Sequence, residues 1–266
     1  MLVANEPEPP SARSSRLAES IRHFSQRLVV LQRPLRLLDA VQWDDQVEHS
    51  FFADGARELP RVCRRDYLAR PLPFDPDRRQ MEFQDLERDV TRVLGNRHGA
   101  GCILTRMCRE YAGVVRLLAW RGTRTFVELS ARLFGTTRGG LVDIHTLSDF
   151  AARFPAQAGG GPSHDAATAL DELTTRLSGS FDDEPVRVKI VDRLGSDAAA
   201  GANYLKLRQG ARFSTSEIRL LEVHEGWVHL GTSHNARSQE TCAFLRQAPP
   251  TSTRTQEGLA VLTEFL

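Results

Sequence analysis

The segment His224-Glu225-Gly226-Trp227-Val228-His229 places a glutamate directly after the first of two histidines. Two imidazoles and a further acidic side chain can hold a zinc ion and leave a fourth position open for water. A glutamate beside the first histidine can take the proton of that water. The histidines are five residues apart, one residue more than in the H-E-x-x-H pattern. The segment therefore predicts a hydrolytic metal site on an irregular helix.

The five-residue spacing restricts the geometry of that helix. On an ideal α-helix, residues four apart lie about 40° apart around the axis, and residues five apart diverge by about 140°. His224 and His229 can face one metal ion only if the helix widens into a π-type turn. Gly226 lowers the cost of that distortion. We expect the helix to begin at the capping box formed by Ser214 and Glu217.

The residues before this helix predict a small sheet. Residues 186–191 alternate apolar and polar side chains, and residues 204–207 form a second strand after a turn region at 195–201. We expect the two strands to pair as an antiparallel β-hairpin. A sheet followed by a helix with metal-binding histidines is the layout of a zincin-like metallopeptidase. The strand at 204–207 would then lie along the cleft and bind an extended peptide by strand addition.

The N-terminal part of the chain predicts helices and carries no recognisable chemistry. Apolar residues recur at intervals of three and four at 16–31, 81–94 and 103–120, whereas the proline-rich stretch 60–76 predicts a loop. The sequence therefore predicts an α+β protein in which a mainly helical region precedes a zincin-like core. The expected boundaries are a disordered tail at 1–14, the helical region at 15–157, a Gly/Pro linker at 158–164 and the catalytic region at 165–266.

Composition argues against several classes of protein. The net charge is +1, and arginines are scattered among carboxylates, which argues against a nucleic-acid surface. The four cysteines form no C-x-x-C pair and are typical of reduced thiols. No apolar stretch approaches the length of a membrane span, and the N-terminus lacks the pattern of a secretory signal. We therefore expect a cytoplasmic protein without nucleic-acid or membrane partners.

The position of a third metal ligand is less clear from spacing. His234 lies ten residues after His224, as the third histidine does in H-E-x-x-H-x-x-G-x-x-H. Glu257 lies near the start of an apolar helix at 258–266, and glutamate is a common third zinc ligand. Glu264, seven residues further on, could share the face of Glu257 but lies deeper in the helix. Spacing alone leaves these alternatives open.

The two motifs together resemble one family of metallopeptidases. The segment 224–229 reads H-E-x-x-x-H, and 256–260 reads Gln-Glu-Gly-Leu-Ala. This pair is similar to that of the bacterial flavohaemoglobin expression-modulating QEGLA-motif proteins and of their animal relatives. Those relatives are the microtubule-associated tyrosine carboxypeptidases, which remove the C-terminal tyrosine of α-tubulin. The resemblance implies that His224, His229 and Glu257 bind zinc and that Glu225 is the catalytic base that activates a zinc-bound water.

The resemblance also implies a function and a substrate class. The chain would be a zinc-dependent carboxypeptidase that removes a C-terminal residue, with an aromatic residue as the first candidate, from a peptide or protein. Members of the family continue past the QEGLA helix, so the resemblance implies a catalytic region that is incomplete at its C-terminus. The alternative is a non-enzymatic regulator or an inactive truncated remnant that keeps the zinc-site fold. Candidate contacts for the substrate are Tyr204, Lys206, Arg208 and Arg254.

Overall fold

The computed structural model of the chain describes residues 10–97, 99–136, 161, 163–181, 185–192, 194–201 and 203–265. It divides into two compact units. One lies within Met1–Thr136 and Glu240–Thr251, and the other lies within Thr137–Gln239 and Ser252–Leu266. The described part of the first unit is helical, and that of the second combines helices with two small sheets. The predicted α+β class is therefore confirmed.

The helices of the first unit follow the predicted periodicity. Asp75 caps the helix that contains the predicted segment 81–94, since its carboxylate accepts a hydrogen bond from the backbone N–H of Arg78, and Pro76 occupies the first helical position. That helix ends at Gly95, where φ is +70°. The elements are α1 (Pro10–Gln32), α2 (Leu37–Val41), α3 (Asp45–Ala53), α4 (Arg64–Leu68), α5 (Pro76–Leu94), α6 (Gly99–Ala119), α7 (Arg124–Phe134) and a 3₁₀ turn (Ala243–Arg246).

The short helix α4 lies inside the stretch 60–76 that the prolines predict to be a loop, so that prediction is wrong in its middle. Asp66 accepts a hydrogen bond from the backbone N–H of Cys63 at 2.7 Å and completes a capping box. Arg121, which is buried, donates to the backbone carbonyls of Tyr67 and Arg70. The guanidinium of Arg121, which is distant in sequence, therefore helps to hold this segment. Residues 60–76 alone do not reveal this contact.

Helices α1, α5 and α6 bury their apolar stripes in one core. Phe83 of α5 stacks on Tyr111 of α6, with ring centroids 5.8 Å apart. Burial of one such side chain stabilises a fold by about 1.5–3 kcal/mol. The other large members of the core include Phe24, Leu28, Leu86, Val90, Leu104, Val115 and Phe244.

The cysteines of this unit differ sharply in exposure, which gives a simple prediction. Burial raises the pKa of the Cys108 thiol to about 12, whereas Cys63 and Cys102 are exposed. Because the thiolate is the reactive form, Cys108 should resist alkylation in the folded protein at pH 8, while Cys63 and Cys102 react. Mass spectrometry of iodoacetamide-labelled peptides checks this result. Equal labelling of Cys108 and Cys63 without denaturant would show that the α1–α5–α6 core is wrongly assigned.

The second unit is built around helix α8, which packs its apolar face against the strands. Asp165 caps this helix by accepting a hydrogen bond from the backbone N–H of Thr168. Leu173 and Leu177 of α8 join Leu205, Leu207 and Ile218 in a second core. The elements are β1 (His164–Asp165), α8 (Ala166–Leu177), β2 (Arg187–Val191), β3 (Ala198–Ala200), β4 (Tyr204–Arg208), β5 (Arg212–Phe213), α9 (Thr215–Leu221), a π-helix (Glu222–Leu230), α10 (Gly231–Arg237) and α11 (Pro250–Glu264), which belongs to this unit from Ser252 onward.

The sheet differs from the predicted antiparallel hairpin. Strands β2 and β4 are adjacent but parallel, with Arg187 opposite Tyr204. The antiparallel neighbour of β4 is β3, which gives the order β2-β4-β3. Strand β3 consists of three alanines inside the region predicted as a turn, 195–201. Alanine has a weak strand preference, so the sequence gives little sign that the chain forms this intermediate strand before β4.

Some of the predicted boundaries fall outside the described residues. Of the predicted tail, residues 1–9 are not described, and α1 begins at Pro10. The last part of the predicted helical region, 137–157, and residues 158–160 and 162 of the predicted linker also lie outside. Those boundaries therefore stay predictions. Within the described residues, no helix is long and apolar enough to cross a membrane.

Candidate functional site

The helix that carries the two histidines changes type along its length. Ser214 and Glu217 form the predicted capping box at its start. Helix α9 continues without a break into the π-helix Glu222–Leu230 and then into α10. The wider turn brings the imidazoles of His224 and His229 to one side, with ring centroids 5.0 Å apart. The π-type turn that the spacing predicts is therefore confirmed.

Gly226 allows this π-helix to approach α8 closely. A Cβ atom at position 226 would lie 2.6 Å from Cδ2 of Leu177, which is a fully buried core residue. Val228 and Leu230 are also buried, so the π-helix is fixed on the side away from the imidazoles. Close packing at Gly226 therefore determines where the two histidines lie.

This contact predicts a measurable coupling between positions 226 and 177. Gly226→Ala should overpack the site, which typically costs about 1–3 kcal/mol, and Leu177→Ala should leave a cavity. The double variant should be less destabilised than the sum of the two by about 0.5–3 kcal/mol, because each change relieves the other. Urea unfolding of the four proteins measures this difference. Additive effects would mean that α8 and the π-helix do not touch at Gly226.

A third side chain faces the two imidazoles from helix α11. The carboxylate oxygens of Glu257 lie 3.7 Å from Nε2 of His224 and 3.5 Å from Nε2 of His229. One ligand atom from each of the three residues lies within 4.8 Å of the others. Tetrahedral bonds of about 2.0–2.1 Å would separate neighbouring donor atoms by about 3.4 Å. The donor types and their spacing therefore fit one zinc ion.

The other nitrogen of each imidazole is engaged by a second side chain of α11. His224 Nδ1 lies 2.6 Å from a carboxylate oxygen of Glu264. His229 Nδ1 lies 3.4 Å from the amide oxygen of Gln256. Both imidazoles are largely buried, with 20% and 18% of their side-chain surface exposed. The Nε2 atoms are therefore the ones directed toward Glu257.

Glu225 lies beside the sheet and not among the three donors. One of its carboxylate oxygens, Oε2, accepts a hydrogen bond of 2.7 Å from the backbone N–H of Ala200 in strand β3. Among the described residues, its other oxygen has no protein partner at hydrogen-bond distance. This carboxylate is held in place at one oxygen and can accept a proton at the other.

The alternative third ligands lie elsewhere. His234 of α10 packs its ring edge-on against Phe181, with centroids 5.2 Å apart. It does not belong to the group of three donors found among the described residues. Glu264 faces Nδ1 of His224 and not Nε2. The geometry therefore favours Glu257 over both alternatives that spacing leaves open.

The substrate contacts predicted from sequence lie at two places in the second unit. Tyr204, Lys206 and Arg208 lie on one face of β4, opposite the buried Leu205 and Leu207. The Lys206 ammonium lies 5.3 Å from the Tyr204 ring, and Lys189 of β2 lies 4.1 Å from the same ring. Arg208 pairs with Asp197. Arg254 lies on α11, where it is exposed. No contact of these side chains with a substrate follows from this placement, so their roles stay predictions.

The prediction that a peptide binds by strand addition to β4 is wrong. Strand β4 is central in its sheet, since β2 and β3 occupy both of its sides. A peptide cannot add to a strand whose two edges are already paired. Strand β3 is at an edge of this sheet and reaches Glu225 through Ala200. It is therefore the strand of this sheet that lies beside the candidate catalytic base.

Several site residues were missed by sequence reasoning. The backbone N–H of Ala200 could not be found from side-chain motifs, because any residue except proline carries this donor. Glu264 was considered only as a metal ligand and Gln256 only as part of a motif, and the contacts of both with Nδ1 atoms could have been found from helical spacing. Residues 257 and 264 are seven apart, which places them within about 20° of one another on a helix, and Gln256 is adjacent.

A family model for microtubule-associated tyrosine carboxypeptidases matches residues 49–266. The chain belongs to this family. The matched region contains the π-helix, β3 and α11, and thus every residue of the candidate site. Membership in the microtubule-associated tyrosine carboxypeptidase family implies a peptidase of the carboxypeptidase type. This match supports the family resemblance that the motifs at 224–229 and 256–260 predict. No curated protein and no solved structure matches the chain.

Proposed function

We propose that the protein is a zinc-dependent carboxypeptidase in which His224, His229 and Glu257 hold the metal. The observation that carries this proposal is the convergence of the two Nε2 atoms and one carboxylate at distances that suit a single zinc ion. Two histidines and a glutamate are a common ligand set of catalytic zinc, which keeps one position open. Family membership supplies the reaction class.

Zinc, when bound, would supply the Lewis acidity that makes water nucleophilic near neutral pH. Glu225 is the base in this proposal. The hydrogen bond from Ala200 holds Oε2, so Oε1 accepts the proton of the attacking water. The same carboxyl group then donates this proton to the amine that leaves. Accepting the proton and donating it both require a carboxylate with a fixed orientation, and the hydrogen bond from Ala200 gives the Glu225 carboxylate such an orientation.

The substrate in this proposal is the C-terminal end of a peptide or protein. We place an extended peptide alongside the outer edge of β3, where Ala200 already donates to Glu225, so that the peptide backbone would lie beside this carboxylate. Lys206 and Arg254 are the cations that we propose for the terminal carboxylate, since Arg208 is already paired with Asp197. The family is described by its action on tyrosine, so a C-terminal tyrosine is the first residue to test.

The experiment that tests this function uses peptides that differ only at their C-terminus. The purified chain loaded with Zn²⁺ should release the last residue of a peptide ending in tyrosine, as measured by mass spectrometry. The same peptide with a C-terminal amide should not be cleaved, which separates a carboxypeptidase from an endopeptidase. Addition of 1,10-phenanthroline should stop the reaction, and excess Zn²⁺ should restore it. Zinc binding without release from any peptide of the panel would favour the inactive remnant.

A further inference from the structure

Helix α11 contacts both imidazoles of the site from two sides. Glu257 faces the Nε2 atoms, while Gln256 and Glu264 each place an oxygen at an Nδ1 atom. An Nδ1 atom beside a carboxylate or an amide oxygen carries the proton, because both oxygens only accept. A neutral imidazole has one N–H and one lone pair, so a proton on Nδ1 leaves the lone pair on Nε2. That lone pair is what a metal needs.

We infer that Gln256 and Glu264 are positioning residues that fix the tautomers of His229 and His224 before any metal binds. This inference rests on the proposed zinc function. It assigns α11 two tasks, since one helix would supply the third ligand and also the acceptors that orient the other two ligands. In water a neutral imidazole prefers the proton on Nε2. The two acceptors therefore work against a tautomer that would block the site.

The surroundings of the two acceptors support this role. Glu264 has 27% of its side-chain surface exposed, whereas Glu257 has 54%. The oxygen that contacts His224 is thus shielded more than the carboxylate proposed as ligand. The amide of Gln256 is oriented by a second hydrogen bond, which its Nε2 atom donates to Ser252 at 3.3 Å. With the amide in this orientation, its oxygen is the atom that faces His229.

The two contacts are not equally strong. The Glu264 contact of 2.6 Å to Nδ1 of His224 is short and involves a carboxylate, whereas the Gln256 contact of 3.4 Å to His229 is long and involves a neutral amide. Loss of a partner that orients a metal-bound histidine typically weakens metal binding by about 10–100-fold. We place Glu264→Ala at the upper end of that range and Gln256→Ala at the lower end.

The test measures tautomers in the metal-free protein by long-range ¹H–¹⁵N NMR of the histidine side chains, at a pH where the imidazoles are neutral. The wild-type chain should show the Nδ1–H form at both His224 and His229. Glu264→Ala should shift only His224 toward the Nε2–H form, and Gln256→Ala only His229. Glu264→Gln should keep the Nδ1–H form, because an amide oxygen is also an acceptor.

A second measurement follows zinc affinity by competition with a chromophoric chelator. Glu264→Ala should weaken binding of Zn²⁺ by about 10–100-fold, and Glu264→Gln by less. Asp171→Asn is the matched control, since it removes an exposed carboxylate from α8 in the same unit and should change neither readout. A purely structural role for Glu264 would instead lower the melting temperature of both variants and leave the His224 tautomer of the folded protein unchanged.

The two measurements separate this inference from the proposed function. If the wild-type histidines show the Nε2–H form, or if Glu264→Ala binds Zn²⁺ as tightly as the wild type, the positioning role is overturned. If the tautomers shift as expected but no variant, including the wild type, binds Zn²⁺, the acceptors do fix the imidazoles and the zinc function fails.

Discussion

Replacing Glu225 with glutamine is expected to leave Zn²⁺ bound and to slow peptide hydrolysis by about 10²–10⁴-fold. Glutamine has nearly the same shape, and its amide oxygen can still accept the hydrogen bond from Ala200. The variant cannot take a proton from water. Because Glu225 lies outside the three donors, zinc affinity should stay close to that of the wild type. Release of a C-terminal tyrosine, measured as kcat/KM with zinc content determined in parallel, checks both parts.

Glu222→Gln is the matched control for this experiment. Glu222 lies in the same π-helix and accepts hydrogen bonds from Arg176 and Trp227, and the amide oxygen of glutamine can continue to accept. Its activity should resemble that of the wild type. Hydrolysis by Glu225→Gln at the wild-type rate would show that another group is the base, and the assignment of Glu225 would be abandoned.

Replacing His229 with alanine should remove the metal and not only the activity. Two protein donors rarely hold zinc tightly, and loss of an orienting partner alone already costs about 10–100-fold in affinity. The loss of a donor should therefore exceed about 100-fold. Elemental analysis after gel filtration, together with chelator competition, measures the change. The fold should survive, because the imidazole points away from the packed side of the π-helix.

His234→Ala distinguishes this account from the alternative in which His234 is a ligand. His234 packs against Phe181, so its loss should change stability slightly and zinc content not at all. If His234→Ala lost the metal and Glu257→Ala kept it, His234 and not Glu257 would be the third ligand.

The sequence predicts the helix that carries the histidines better than it predicts the sheet. The capping box at Ser214 and Glu217 and the five-residue histidine spacing are local features, and each one has a single physical solution. The position of Glu257 relative to the imidazoles needed the family resemblance, because His234 satisfied the spacing equally well. What selects Glu257 in the structure is the approach of α11 to the π-helix, a long-range contact that no local pattern encodes.

The sheet was mispredicted because strand order is a long-range property. The alternation in β2 and β4 marks both as strands but does not say whether they run parallel. Strand β3 lacks the branched and aromatic residues that mark a strand. Gly201, directly after it, packs so closely on the Tyr204 ring that an added Cβ atom would clash with Cζ of that ring. Strand β3, which donates a hydrogen bond to Glu225, is therefore the element that the sequence indicates least clearly.

Anomalous diffraction at the zinc absorption edge, on crystals of the zinc-loaded chain, would show directly which atoms bind the metal. We expect one strong peak bonded at about 2 Å to Nε2 of His224, Nε2 of His229 and a carboxylate oxygen of Glu257, with Glu225 beside it but not bonded. A peak at Nδ1 of either histidine, at His234, or nowhere near the π-helix would contradict this ligand set.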